Sequence, residues 1–210
     1  MIDAISVDLR RRLGAVRDQG PRPTCAAHAV TTVHEFLRGV GTPLSCEYLD
    51  YFARPNSTAA GCTFSEVSVA LRERGQCTET DCPYLASERG SGWAPPAGVQ
   101  VFRRHSNQGP LLLDSLATDI ENGGVPVLGL RLTPSFYVPA APWILDPRGP
   151  VQGLHAVTAV GLGATKGTRM ILIRNSWGSA WGDLGHAWIG EAFLSQHLVA
   201  ILTLHGEVAP

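Results

Sequence analysis

The sequence predicts an α+β fold in two lobes, helical first and strand-rich second, and three observations predict it. Apolar residues recur at helical spacing in the first part of the chain, and short β-type runs bounded by Gly, Pro or Asp replace them later. A Gly- and Pro-rich stretch lies between the two. Helices that precede strands, instead of alternating with them, argue against a parallel βαβ sheet. The 210 residues suit one domain of two intimate lobes, a helical lobe over about 10–108 and a strand-rich lobe over about 109–210, with ample chain for a core.

Ala26, Ala29, Val30, Val33, Phe36 and Leu37 follow the helical period, and Gly39 with Gly41 ends it, which predicts a helix over 25–38. A second helix is expected from Ser65 to about Arg74, stopped by Gly75. A third is expected from about Leu111 to Asn122, with Leu112, Leu113, Leu116 and Ile120 inward and Gly123-Gly124 after it. Val125 to Leu132, His155 to Leu162, Met170 to Asn175, His186 to Ile189 and Leu198 to Leu204 read as strands. The stretch 88–110, with Gly90, Gly92, Pro95, Pro96, Gly98 and Gly109-Pro110, is the natural crossing between lobes. Two lobes that meet at a cleft offer a preformed groove for a ligand.

Composition excludes several function classes. Seventeen Lys and Arg stand against 18 Asp and Glu, so the chain lacks the basic excess that phosphate binding needs, and nucleic acid is not expected as a partner. The runs Arg10-Arg11-Arg12 and Arg103-Arg104 are short and read as solvated. No apolar run approaches the ~18 residues of a membrane helix, so no membrane partner is expected. The first residues lack the basic-then-apolar order of a signal peptide. Five cysteines (Cys25, Cys46, Cys62, Cys77, Cys82) are too few and odd in number for a disulfide framework, which points to a reducing, cytoplasmic setting.

The chemistry centres on Cys25. A thiol in the first turn of a helix faces unpaired N–H groups and the positive end of the dipole, which favour the nucleophilic thiolate. Gln19 sits ahead of it across Gly20, Pro21 and Pro23, a turn that can fold the amide back towards the sulfur as an oxyanion donor beside a backbone N–H. His155 opens an apolar strand and can take the thiol proton and return it to a leaving group. Asn175 ends another strand and can hold that imidazole in the useful tautomer, with Trp177 covering the bond from water. Cys77 and Cys82 have no matching partners for zinc, and His28 and His34, six apart on one helix, do not share a face; no metal site and no cofactor are expected. No phosphate loop or dinucleotide fingerprint occurs.

Asp18-Gln19-Gly20 through Cys25, Gly153-Leu154-His155-Ala156-Val157, and Asn175-Ser176-Trp177-Gly178-Ser179-Ala180-Trp181-Gly182 together resemble the three signature blocks of the papain-like cysteine peptidases. His155 lies 130 positions after Cys25 and Asn175 a further 20, as in that family. Weaker echoes at Asp8-Leu9-Arg10, Gly61-Cys62 and Pro83-Tyr84 extend the resemblance over nearly the whole chain. It implies the papain-like fold, with the active site in the cleft between a helical lobe and an antiparallel β-barrel-like lobe. It also implies a peptide or protein substrate, with Cys25, His155, Asn175 and Gln19 as catalytic groups. Trp177 would shield the site and Trp181 support the leaving-group side, with Leu154 beside His155.

Several departures qualify the resemblance. Arg22 stands where a disulfide cysteine is expected, so Cys62 loses its usual partner. Pro23 replaces a glycine and is expected to narrow the pocket beside Cys25; Ala26 replaces a bulky aromatic. Phe64-Ser65 follows Gly61-Cys62 in place of a peptide-binding Gly-Gly pair, which implies a restricted substrate path, with Val67 and its neighbours lining the adjacent pocket. The resemblance begins within about ten residues of Met1, which suggests a bacterial-type member lacking a pro-segment. Such a member would be restrained by narrow specificity or a regulatory protein partner, and be intracellular or delivered to another cell; the alternative is that these residues are a fragment of a longer chain. Two other readings use the same residues: acyl transfer or deamidation at the Cys-His-Asn site, and a catalytically silent binding module on this fold.

Overall fold

A computed structural model describes residues 2–39, 41–54 and 61–208. The chain runs through strand β1 (Ala4–Asp8), helices α1 (Cys25–Arg38), α2 (Cys46–Ala53) and α3 (Phe64–Glu73), then β2 (Arg104–Gln108), α4 (Leu113–Glu121) and β3 (Val127–Leu132). Helix α5 (Pro134–Tyr137), strands β4 (Gly153–Thr165), β5 (Thr168–Arg174) and β6 (His186–Gly190), helix α6 (Glu191–His197) and strand β7 (Leu198–Glu207) complete it. The arrangement is the expected one of helices first and an antiparallel sheet later. Predicted helices at 25–38, 65–74 and 111–122 match α1, α3 and α4 within two residues, the uncertainty normal at helix ends.

The sheet runs β2-β7-β3-β4-β5-β6 with every pairing antiparallel, and β1 joins on β4. The long β4 explains the branching. Its first half pairs with β3, from Gly153 opposite Leu132 to Thr158 opposite Val127. The second half pairs on that edge with β1, from Gly161 opposite Asp8 to Ala164 opposite Ala4. Strand β5 takes the opposite edge of β4 through the tight turn Lys166-Gly167, both residues at positive φ as a two-residue hairpin requires.

Both faces of β4 are buried, which is why it reads as one apolar run. Ala156 and Val160 face α1 and pack with its Ala26, Ala29, Val30 and Val33, while Val157 and Ala159 face a second cluster with Leu130, Phe136, Ile171 and Trp181. The alanines of α1 let the helix approach β4 closely, so the small Ala26 suits the interface in which it is buried.

Two strands lie outside the sequence expectation. Arg104–Gln108, expected in the helical lobe, is an edge strand of the sheet, and Ala4–Asp8 joins it from the other end of the chain. Both are polar or exposed along most of their length, so neither carries the alternation that marks a half-buried strand. Helix α2 was equally illegible, because its buried face carries Glu47 and Asp50, breaking the apolar period.

Candidate active site

Cys25 is the first residue of α1 and lines a cavity of about 520 Å³ together with Cys62, Phe64, Leu130, Leu154 and His155. Thr24 precedes it but does not cap the helix with its side chain; its hydroxyl is engaged with the Tyr84 hydroxyl at 2.8 Å. The leading N–H groups of α1 are therefore left without that cap, at the positive end of the helix dipole. Burial pushes the Cys25 thiol up, and the backbone N–H groups of Ala156, Ala26 and Cys25 itself offset only part of that rise, so its pKa ends raised despite its place at the start of α1.

His155 follows the exposed Leu154 at the start of β4, opposite Leu130, and is itself buried. Its Nε2 lies 2.7 Å from Asn175 Oδ1. That oxygen also accepts the backbone N–H of Ser176 at 2.8 Å, which identifies it as the acceptor. Nε2 must then carry the proton, and Nδ1 is left as the base. Burial pulls His155 down to about 4, against the opposing pull of the Asn175 hydrogen bond.

An aromatic wall surrounds this pair. Trp177 packs on the imidazole with centroids 4.8 Å apart, and Phe136 meets it edge-on at 5.6 Å. Trp181 sits behind: its indole N–H donates to Phe136 O at 2.7 Å, and its ring lies against Phe136. Phe136 went unnoticed in the sequence because nothing about a lone phenylalanine after a Pro-Ser pair distinguishes it from any core aromatic. The glycines of the Asn175–Gly182 block serve the same wall. At Gly182, with φ +58, a Cβ would fall 2.2 Å from His186 O, so only glycine closes that turn.

Gln19 is brought beside Asn175 by backbone pairing between the two ends of the chain. Its N–H donates to Ser176 O at 2.8 Å, and Gly178 N–H donates to Arg17 O at 3.0 Å. The side chain is fixed at both ends: Oε1 accepts the Ser176 hydroxyl at 2.6 Å and Nε2 donates to Arg22 O at 2.8 Å. One N–H of Nε2 is thus spent, and the second remains for an oxyanion. Ser176 is a positioning residue the sequence did not single out, although it stands inside the recognised block.

Other sequence expectations change. Val67 does not line the cavity; it is fully buried in the core between α3 and α1, because the capped start of α3 turns it inward. Thr63, Phe64 and Ser65 form that part of the wall instead. Thr63 caps α3 in a capping box and spends its own N–H on Glu66, leaving that group unavailable to an extended peptide. Pro23 is not among the residues lining the cavity either: its carbonyl lies against Gly61, where a Cβ would come within 2.9 Å. All five cysteines are free. His28 and His34 are buried structural groups, His28 on Thr24 O at 3.1 Å and His34 on Gln76 Oε1 at 2.7 Å. No helix among the described residues is long and apolar enough to cross a membrane.

A family model described as papain family cysteine protease matches residues 4–197. Chicken (Gallus gallus) cathepsin K is 28% identical over 195 residues, covering 89% of this chain and 58% of that protein. Cysteine proteinase 3 of Entamoeba histolytica is 28% identical, covering 86% and 61%, and cysteine protease XCP2 of Arabidopsis thaliana is 28% identical, covering 86% and 53%. The chain thus spans little more than half the length of these relatives. Among solved structures, xylellain, a cysteine protease from Xylella fastidiosa, superposes with a TM-score of 0.78 at 22% identity, covering 94% of this chain and 84% of that one. The proform of the ragweed pollen allergen Amb a 11 gives a TM-score of 0.80 at 18% identity, covering 97% and 66%.

Proposed function

The chain belongs to the papain family of cysteine proteases, and from that premise we propose that it hydrolyses peptide bonds through a Cys25 thioester. The observation that carries this reading is the Asn175 amide oxygen, shared between His155 Nε2 and the Ser176 N–H, which leaves Nδ1 of His155 free to accept the thiol proton. Cys25 Sγ attacks the substrate carbonyl and His155 takes its proton. The oxyanion is met by the free Gln19 N–H and the uncapped N–H groups at the start of α1. His155 then protonates the leaving amine, and water, deprotonated by the same imidazole, releases the acid and the thiol.

The largely apolar cavity beside Cys25 favours a substrate with an apolar side chain near the cleaved bond. The capped start of α3 favours a restricted path over a broad groove. A reducing compartment suits five free thiols. No resident cofactor is invoked.

The test is intact mass after incubation with a peptidyl epoxide from pH 4 to 9, beside Cys25→Ala and His155→Ala. A single adduct on Cys25, forming below pH 8 and slowed in His155→Ala, together with cleavage of an apolar peptide library, supports the reading. Adducts spread over several cysteines, or reaction only above about pH 8 as for an unactivated thiol, overturn it. Products carrying an added amine would assign acyl transfer instead.

A further inference from the structure

Resting on the peptidase reading, we propose that Arg22 is a positioning residue for the oxyanion donor Gln19, held by a buried ionic cluster centred on Glu47 in place of a covalent cross-link. The turn Gly20-Pro21-Arg22-Pro23 has little means of holding itself, since its two prolines have no N–H to give. Gly20 N–H bonds Asp18 Oδ1 at 2.8 Å. The remaining fixed point is the Arg22 carbonyl, which accepts both Gln19 Nε2 at 2.8 Å and the backbone N–H of Thr24 at 2.9 Å. One oxygen therefore sets the distance between the oxyanion donor and the residue immediately before the nucleophile.

What holds that oxygen is the Arg22 side chain, which is buried with 1% of its side chain exposed. Its guanidinium makes a two-pronged pair with Glu47, Nη1 to Oε2 at 2.5 Å and Nη2 to Oε1 at 3.0 Å, and Nη1 also donates to Leu85 O at 2.7 Å. Arg89 and the Leu85 N–H satisfy the rest of the Glu47 carboxylate, and Asp50 on the next turn of α2 ties Arg89 and Arg54 into the same cluster. A planar bidentate pair fixes direction as well as distance. Tyr84 supplies a second tie: its ring lies 5.0 Å from the Arg22 guanidinium, and its hydroxyl donates to Gln19 O at 2.8 Å and meets the Thr24 hydroxyl.

The experiment separates oxyanion binding from thiol reactivity. A peptide aldehyde adds to Cys25 to form a tetrahedral hemithioacetal whose oxygen occupies the oxyanion site, whereas alkylation by iodoacetamide builds no such centre. Full-length wild type, Arg22→Met, Arg22→Lys, Tyr84→Phe, Gln19→Ala and the Gln19→Ala/Arg22→Met double variant are compared for aldehyde affinity, alkylation rate, kcat and KM. Arg22→Met is expected to weaken aldehyde binding and lower kcat by about 10–100-fold, below the full loss of one oxyanion donor. KM and alkylation should stay within about twofold.

Arg22→Lys should fall between wild type and Arg22→Met, because one ammonium cannot reproduce the fork. Tyr84→Phe should cost about 3–10-fold in the same two readouts. In the Gln19→Ala background Arg22→Met should add less than about twofold. Aldehyde affinity unchanged in Arg22→Lys and Tyr84→Phe overturns the proposal, as does a parallel fall in alkylation or full additivity with Gln19→Ala. If Arg22→Met does not fold, the lysine and phenylalanine variants decide alone. Wild type that is alkylated but neither binds aldehydes nor cleaves peptides overturns the peptidase reading, and this proposal with it.

Discussion

The strand side of the cleft holds His155 with an amide oxygen between two aromatic rings, whereas the turn ahead of α1 holds Gln19 and Cys25 through buried charge. Both sides deliver a reacting group to the same cavity, yet they rest on different forces. On the strand side the wall is apolar and the one critical hydrogen bond is covered from water, which strengthens it. On the turn side five arginine and carboxylate groups (Arg22, Glu47, Asp50, Arg54, Arg89) must find one another in the interior. Each of them is costly if left alone. The comparison teaches that the part matching the family's blocks is built by packing and backbone, while the part that departs is rebuilt with ions.

Breaking either side at its reacting group should have the largest effect. Cys25→Ala and His155→Ala should each lower peptide cleavage by about 10⁴-fold or more, since the two act as a unit. Peptide turnover measured with an active-site-titrated enzyme checks this, and a variant retaining a tenth of the rate would break the assignment.

Acid should act on the buried histidines before it reaches the ionic cluster. His28, His34, His155 and His186 are each pulled down to about 4 by burial, from an ordinary 6.5. The unfolded chain takes up these protons first as pH falls, so their contribution is complete above 6.5 and is lost towards 4, about 3 kcal/mol for each. Burial pushes Glu47 up, but the hydrogen bonds from Arg22 and the Leu85 N–H and the charge of Arg89 outweigh it, and its pKa ends lowered. Its contribution is complete above 4.5 and goes only as pH falls through the lowered value. Urea unfolding at pH 7, 5.5 and 4.5 should therefore show most of the loss before Glu47 is protonated. Flat stability from pH 7 to 4.5 would refute the buried neutral histidines.

Phe136→Ala should cost about 3–5 kcal/mol of stability as a buried aromatic cavity, and should also lower kcat by loosening Trp177 and His155. Thermal melts and turnover on one preparation would test both. The smallest expected effect is that of reductant: with all five thiols free, dithiothreitol should leave the melting temperature unchanged. A drop on reduction would mean that a disulfide, and not the ionic cluster, secures the turn.

Much of the strand side was legible in the sequence. His155, Asn175 and Trp177 stand in contiguous blocks whose residue types carry their chemistry, and the buried strands announce themselves as apolar runs. Cys25 was legible for a related reason, since helix periodicity and a following Gly fixed where α1 begins and ends. Val67 was misplaced because sequence spacing does not say which way a side chain turns at the start of a helix. Phe136 and Ser176 act only through neighbours distant in sequence, and no local pattern marks them.

By itself the sequence determined the broad layout of helices first and strands later, the family blocks and the residue types of the candidate site, because these depend on residue type and short-range period. The tertiary structure alone decided what holds them. Arg22, read in sequence as a missing cysteine, meets Glu47 and Leu85 only when α2 and the loop after it fold over the turn. The polar strands β1 and β2 became strands because β4 and β7 offered them unpaired edges. Long-range pairing of charges and of backbone edges depends on partners distant in sequence, and so leaves no periodic trace along the chain.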